Sequence, residues 1–412
     1  MDRAVELVFR TVTSERNLLD DPQAVGEDPP GLITIVGSDE LLTIDAQDVI
    51  ETWSYREQLH WSVDRGNRTY RREALVAVAH DRVAGLGSAL HVRDVLRAGG
   101  ADVLGDVVHI ESCYGLSIAR DSPHVEHGES AGAERWTIAG VEVAVVRWSE
   151  HAVAPEMLRR MMAYRLPLHP AVVQQIAARA KAPASLRVTC KFPLRDTLAE
   201  WTLESWREAD TFSAPQLEGC ERNAPLDAAH ALTRRPVADD DGNRRIAAAR
   251  EALAAGRLLE ALLATFAHTF TTTDMASDTV KEINARASWW TPTRRLVKQL
   301  MAPSPESPPR FDGFRKHAGA YAHVLDVFAG EDLLRRGEAA EACGRIAAAL
   351  VVDPGLASAW VSLGEAYAAT LDFAAAWDCF ARSKLLCADH PVVKQKVIAL
   401  ERGLREAHPQ FF

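Results

Sequence analysis

The sequence predicts a multidomain chain: an α+β first part over residues 1–215, a linker over 216–242, and an all-α helical-repeat part over 243–412. Three observations predict it. In the first half, short apolar runs of strand length alternate with stretches of helical periodicity. Around 213–243 the periodicity fades, and prolines and charges collect in "RRPVADDDGNRR". Beyond it, apolar residues recur at helical spacing in pairs broken by tight turns. Two of these pairs echo each other at one constant interval: Gly330 precedes Gly364 by as much as Ala342 precedes Ala376.

The elements of the first part follow in order. "DDPQAVGEDPPG" at 20–31 reads as a polar loop. Residues 32–36 and 41–44 are short apolar strands, and 74–79 a buried one. A helix over 88–98 closes at Gly99-Gly100, and 107–113 is a further strand. Residues 136–138 and 141–148 flank Ala139-Gly140 as a hairpin. Helices over 155–164 and 170–181 each carry proline in the first turn. A strand follows over 186–192, then a helix over 198–209 bearing Trp201 and Trp206.

The second part rests on a packing pattern, Trp360-x-x-Leu363-Gly364-x-x-Tyr367, then Ala376-x-x-x-Phe380. Trp360, Leu363 and Tyr367 share one helical face. Gly364 and Ala376 are small where two helices meet, Phe380 fills the space beside them, and Leu371-Asp372 is the turn. One pair cannot bury its own apolar face, so neighbours are expected. Residues 323–356 keep the register, with Ile346 for Phe380, Leu333 for Tyr367, Gly337 in the turn and Asp326 where tryptophan stood. A degenerate pair at 242–275 keeps only the Gly256 to Ala261 interval. An insertion at 276–322, with "APSPESPP" at 302–309, separates it from 323–356. After the pair at 357–390, a polar-backed helix over 392–406 caps the stack through Val393, Val397, Leu400 and Leu404.

These residues resemble the tetratricopeptide repeat (TPR) family over 243–412. The resemblance implies protein–protein interaction, with the first helix of each pair lining a groove. By register the groove positions are Val324, Val327, Glu331 and Arg335, then Ser358, Val361, Glu365 and Ala368. Some members clamp a partner's terminal carboxylate with lysine and asparagine at such places. Here valines and glutamates stand there instead, which fits a basic or amphipathic partner segment.

Composition bounds the rest. A net charge of −10 disfavours nucleic acid, and 47% hydrophobic with 25% charged residues is ordinary for a folded chain. Six cysteines with no C-x-x-C pair read as reduced thiols of a cytoplasmic protein. "MDRAVELVFRTVTSERN" lacks the apolar core of a signal peptide, and no run is long enough to span a membrane. Arginine outnumbers lysine and alanine is abundant, as expected of a GC-rich bacterial genome. Nothing in the sequence asks for a cofactor.

Candidate chemistry is sparse. His109, Glu111 and Cys113 alternate on the expected strand 107–113 and face one way, offering the elements of thiolate chemistry. Neighbours at i and i+2 stand about 7 Å apart, so the bland alternative is the polar face of a half-buried strand. His124, Glu126 and His127 have metal-ligand chemistry but lie in a Pro/Gly/Ser stretch without a second cluster, so no metal is expected. Gly85-Leu86-Gly87-Ser88 offers backbone N–H groups to an anion if it opens a helix. Trp289-Trp290 offers an exposed aromatic, and Asp239-Asp240-Asp241 reads as a solvated linker. The leading expectation is an adaptor or scaffold. The alternatives are an enzyme with its active site in 1–215, and a structural subunit of a larger assembly.

Overall fold

The computed structural model describes residues 4–17, 25–38, 40–100, 106–118, 123–209, 217–222, 231, 233, 242–273, 278–287, 293–297 and 311–412. The chain divides into two compact units, Met1–Asn223 with Leu404–Phe412, and Ala224–Gly403.

The first unit is built on one 13-stranded sheet. Its strands are β1 (Ala4–Asn17), β2 (Gly26–Glu27), β3 (Gly31–Gly37), β4 (Leu41–Ala46), β5 (Val49–Ser54), β6 (Leu59–Asp64) and β7 (Thr69–Ala74). Helices α1 (Leu75–Ala98) and α2 (Val107–Tyr114) follow. Then come β8 (Val125–Ser130), β9 (Ala133–Ile138), β10 (Val141–Ala152), α3 (Pro155–Arg165), α4 (Pro170–Ala177), β11 (Lys181–Lys191), β12 (Arg195–Ala209) and β13 (Glu221–Arg222). The order across the sheet is β13-β7-β6-β5-β4-β3-β1-β12-β11-β10-β9-β8, with β2 beside β1. Among the described strands, the β13–β7 pairing is parallel and the others antiparallel.

Period-two alternation sets the buried face. Leu7 and Phe9, Ile33 and Ile35, Leu42 and Ile44, Trp136 and Ile138, and Leu186 and Val188 are all core residues. Leu75, Ala79 and Leu86 of α1, Ile110 of α2, Met157 and Met161 of α3, and Val172 and Ile176 of α4 join the same cluster. The 404–412 segment belongs here too. Phe411 is fully buried, and its carbonyl accepts a 2.5 Å hydrogen bond from the Tyr164 hydroxyl. Gln410 Nε2 donates to the Gly115 carbonyl at 3.0 Å.

The expected plan, a plain α+β domain followed by an all-α TPR-like domain, is overturned. Residues up to about 210 form a large sheet, helices lie mostly in the second half of the chain, and 404–412 pack with the sheet. Individual elements explain the difference. The expected strand 74–79 is the start of α1, and the expected strand 107–113 is α2, ended by Gly115 in the left-handed region at φ 64°. The expected helix over 198–209 is the 15-residue strand β12. There the pairing with β1 shifts between Val8 and Phe9, so Ser205 and Leu203 take successive partners and Glu204 is left over. That bulge breaks the period-two alternation, so Trp201 and Trp206 both reach the core at an odd spacing that does not read as a strand.

The second unit is helical among its described residues. It holds α5 (Gly242–Ala254), α6 (Leu258–Thr269), α7 (Asp278–Ala287), α8 (His323–Arg335), α9 (Ala339–Val352), α10 (Ala357–Ala369) and α11 (Phe373–Cys387). A π-helical turn, Val393–Ile398, leads into α12 (Ala399–Ala407), whose residues from Leu404 on belong to the first unit. Trp289-Trp290, Asp239–Asp241 and 302–309 lie outside the described residues.

Candidate functional site

Two helix pairs, α8/α9 and α10/α11, form the frame of the site. Their turns hold Gly337 at φ 81° and Leu371 at φ 64°, equivalent positions in the two pairs. Their close approaches are equivalent as well. A Cβ on Gly330 would overlap Ile346 and stand 3.2 Å from the Ala342 carbonyl. A Cβ on Gly364 would overlap Phe380 and stand 3.0 Å from the Ala376 carbonyl. Trp360 is fully buried, and its indole N–H donates to the Pro354 carbonyl at 2.8 Å. Asp353, just past α9, accepts from the Arg245 guanidinium at 2.7 and 2.9 Å and from the Gly355 N–H at 3.1 Å.

The inner faces of α8 and α10 border a groove of about 660 Å³. Four of the eight positions expected by register line it: Glu331, Arg335, Ser358 and Glu365. Val324, Val327 and Val361 do not; each is fully buried, because these positions turn into the packing between helices. Ala368 is half-buried and outside the lining. Residues not anticipated complete the walls: Ser362, one turn after Ser358; Phe270 just past α6; and His390 and Lys396 beyond α11. His390 Nε2 donates to the Thr269 carbonyl at 2.9 Å, and the Ser358 N–H to the Phe270 carbonyl at 3.0 Å, so the carbonyl end of α6 is capped at the groove wall.

The charges are unequally matched. Lys396 Nζ lies 2.7 and 2.8 Å from the two Glu365 carboxylate oxygens. Arg335 pairs with Asp332 at 3.2 Å. Glu331 accepts a 2.8 Å hydrogen bond from the Ser362 hydroxyl and makes no ion pair among the described residues. Burial raises its pKa, the Ser362 hydrogen bond and the nearby Lys396 and Arg335 charges oppose the rise, and Glu365 adds to it. Glu331 is thus an acid of the groove wall held by the Ser362 hydroxyl.

The candidates in the first unit are arranged for packing. His109, Glu111 and Cys113 lie on helix α2, not on a strand, and are not brought together. His109 Nδ1 accepts from the Asp106 N–H at 3.2 Å and Nε2 donates to the Ile138 carbonyl at 3.1 Å, so neither ring nitrogen is left to act on a thiol. Cys113 donates to the His109 carbonyl at 3.1 Å. Burial and the neighbouring Cys190 thiol push its pKa up, away from the thiolate. Glu111 accepts from the Ile118 N–H at 2.8 Å. Gly85-Leu86-Gly87-Ser88 lies inside α1, where a Cβ on Gly85 would meet the Tyr114 ring at 2.7 Å, so it opens no helix. Glu126 and His127 sit on strand β8, with His127 Nε2 2.9 Å from Glu134, and the described residues hold no group of three metal-ligating side chains.

Among the described residues no helix is long and apolar enough to cross a membrane. No family model matches the chain, and no curated protein matches it. A solved structure described as lipid-protein interactions in lipovitellin is similar at 9% identity, over 99% of this chain and 53% of that one, with a TM-score of 0.19. The chain spans about half the length of that structure, and a likeness this slight carries no argument about either fold or function.

Proposed function

We propose that the chain is a protein–protein interaction adaptor whose α8/α10 groove captures a basic or amphipathic segment of a partner. The observation that carries this reading is the groove itself: a concave surface of about 660 Å³ on paired helices, with an acid on its wall that makes no ion pair among the described residues. Helix pairs that present such a groove recognise a segment through anchors on one face. The resemblance of 323–356 and 357–390 to tetratricopeptide pairs supports the same function.

Site-specific photo-cross-linking tests it. A photoreactive residue replaces exposed Arg335 in the groove or, as control, Val352, which is 64% exposed and outside the lining. Adducts formed from 335 and not from 352, and lost when Glu365→Lys and Lys396→Glu reverse the charges, are the expected result. Equal adducts from both positions, or none from 335, would count against the groove as the binding surface.

A further inference from the structure

The two groove acids occupy equivalent places. Glu331 and Glu365 sit at the same position of successive first helices, and each reaches a side chain 31 residues ahead: Glu331 meets Ser362, and Glu365 meets Lys396. Ser362 and Lys396 are therefore register equivalents on successive helices. The second site contains its own cation and closes an ion pair at 2.7 Å. The first has a serine where that cation stands, and a hydroxyl supplies one donor and no charge. Resting on the adaptor reading, we propose that a lysine or arginine side chain of the partner segment enters the groove and pairs with Glu331, in the place that Lys396 takes beside Glu365.

The surroundings favour this occupant over others. The groove's own cations are engaged, Lys396 with Glu365 and Arg335 with Asp332, so neither is released to Glu331 without breaking a pair. An acidic segment would bring like charge to a carboxylate already short of water, and burial already raises the Glu331 pKa. A purely apolar segment would cover that carboxylate without replacing its lost hydration. A basic side chain adds the missing charge and donors, and its aliphatic stem suits the apolar wall that Phe270 and Leu334 contribute. The other charged groups here stay matched within the chain, Glu365 with Lys396 and Arg335 with the buried Asp332.

A peptide selection on the full chain tests the pairing separately from the groove. Peptides from a random displayed library are selected on the wild-type chain and kept only if they suppress cross-linking from position 335. Each is then remade with its basic residue neutralised, arginine as citrulline or lysine as acetyl-lysine, and titrated on wild type and on Glu331→Gln. The amide keeps the shape and can still accept from Ser362, so this variant is expected to fold. Peptides sharing a basic position, weakened about tenfold or more by neutralisation on wild type and less than about twofold on Glu331→Gln, are the expected result. In Ser362→Lys the chain supplies the cation itself, and the preference for a basic position disappears. Groove-binding peptides with no shared basic position, or an equal loss on wild type and Glu331→Gln, overturn the pairing and leave the groove reading in place. If no peptide competes at 335, the groove reading fails and the pairing falls with it.

Discussion

Replacing Asp353 by asparagine tests what holds the α9–α10 junction. The Asp353 carboxylate is 17% exposed and takes two short hydrogen bonds from Arg245, itself 9% exposed, with His323 Nε2 3.8 Å away. Burial alone would raise its pKa. The His323 and Arg245 contacts and the Gly355 N–H outweigh it, lowering the value from 3.8 to about 2. At about 1.4 kcal/mol per pKa unit, ionisation of Asp353 contributes roughly 2 kcal/mol to folding. Because the folded pKa lies below the unfolded one, that contribution is complete above about pH 5 and drains away as the pH falls toward 2. Asp353→Asn also takes the carboxylate away from two hydrogen bonds of a buried guanidinium, so the loss at pH 7 is expected at about 2–3 kcal/mol. Urea unfolding of both chains at pH 7, 5 and 3, with hydrogen exchange following amides 339–369, measures it. The gap between wild type and variant is expected to narrow steadily on acidification. A variant as stable as wild type at pH 7, or a gap that does not change with pH, would refute the reasoning.

Three more substitutions probe the packing. Gly364→Ala forces a methyl group into Phe380 and is expected to cost about 1–3 kcal/mol in urea unfolding, with Gly364→Ala plus Phe380→Leu recovering part of it. Leu371→Gly removes an exposed leucine from φ 64°, where a side chain costs roughly 1 kcal/mol, and is expected to leave the midpoint unchanged or slightly raised, whereas the same change at a helical position lowers it. Tyr164→Phe deletes the hydroxyl that donates to the Phe411 carbonyl, and is expected to cost about 1 kcal/mol and to speed amide exchange in 404–412 before exchange in the sheet strands.

The sheet was only partly legible because some of its turns place residues that do not announce turns at the left-handed positions. β4 to β5 turns at Gln47, β5 to β6 at Gln58 and β6 to β7 at Arg68, all with positive φ between 52° and 58°. None is glycine or asparagine, the residues that reach this region at least cost, so the first two turns are silent in the sequence, whereas Asp64-Arg65-Gly66-Asn67 announces the third, where Asp64 accepts from the Asn67 N–H at 2.8 Å. The hairpin at Ala139-Gly140, with φ 47° and 75°, was readable because its second residue is glycine. In the same way α2 carries Val107, Val108 and Ile110, β-branched residues that read as strand, while the left-handed cap at Gly115 and the Asp106–His109 contact decide for helix. The helix pairs were legible for the opposite reason. Gly330 and Gly364 stand where no side chain fits, and such positions repeat in the sequence at the spacing at which they repeat in space.

The groove sits between these cases. A repeat register marks which residues occupy equivalent places but not which of them face water. Val327 and Val361 were equivalent and both proved to be packing residues, while Glu331 and Glu365 were equivalent and both line the groove. The difference between those two acids comes from the partner one helix pair further on, serine for one and lysine for the other. Both partners were in view in the sequence, yet neither spacing carries meaning until the helices are stacked, because the interval is longer than any one described helix. Stacking turns a repeated acid into one satisfied site and one site short of a cation. That asymmetry, not the repeat, is what the proposed preference for a basic side chain rests on.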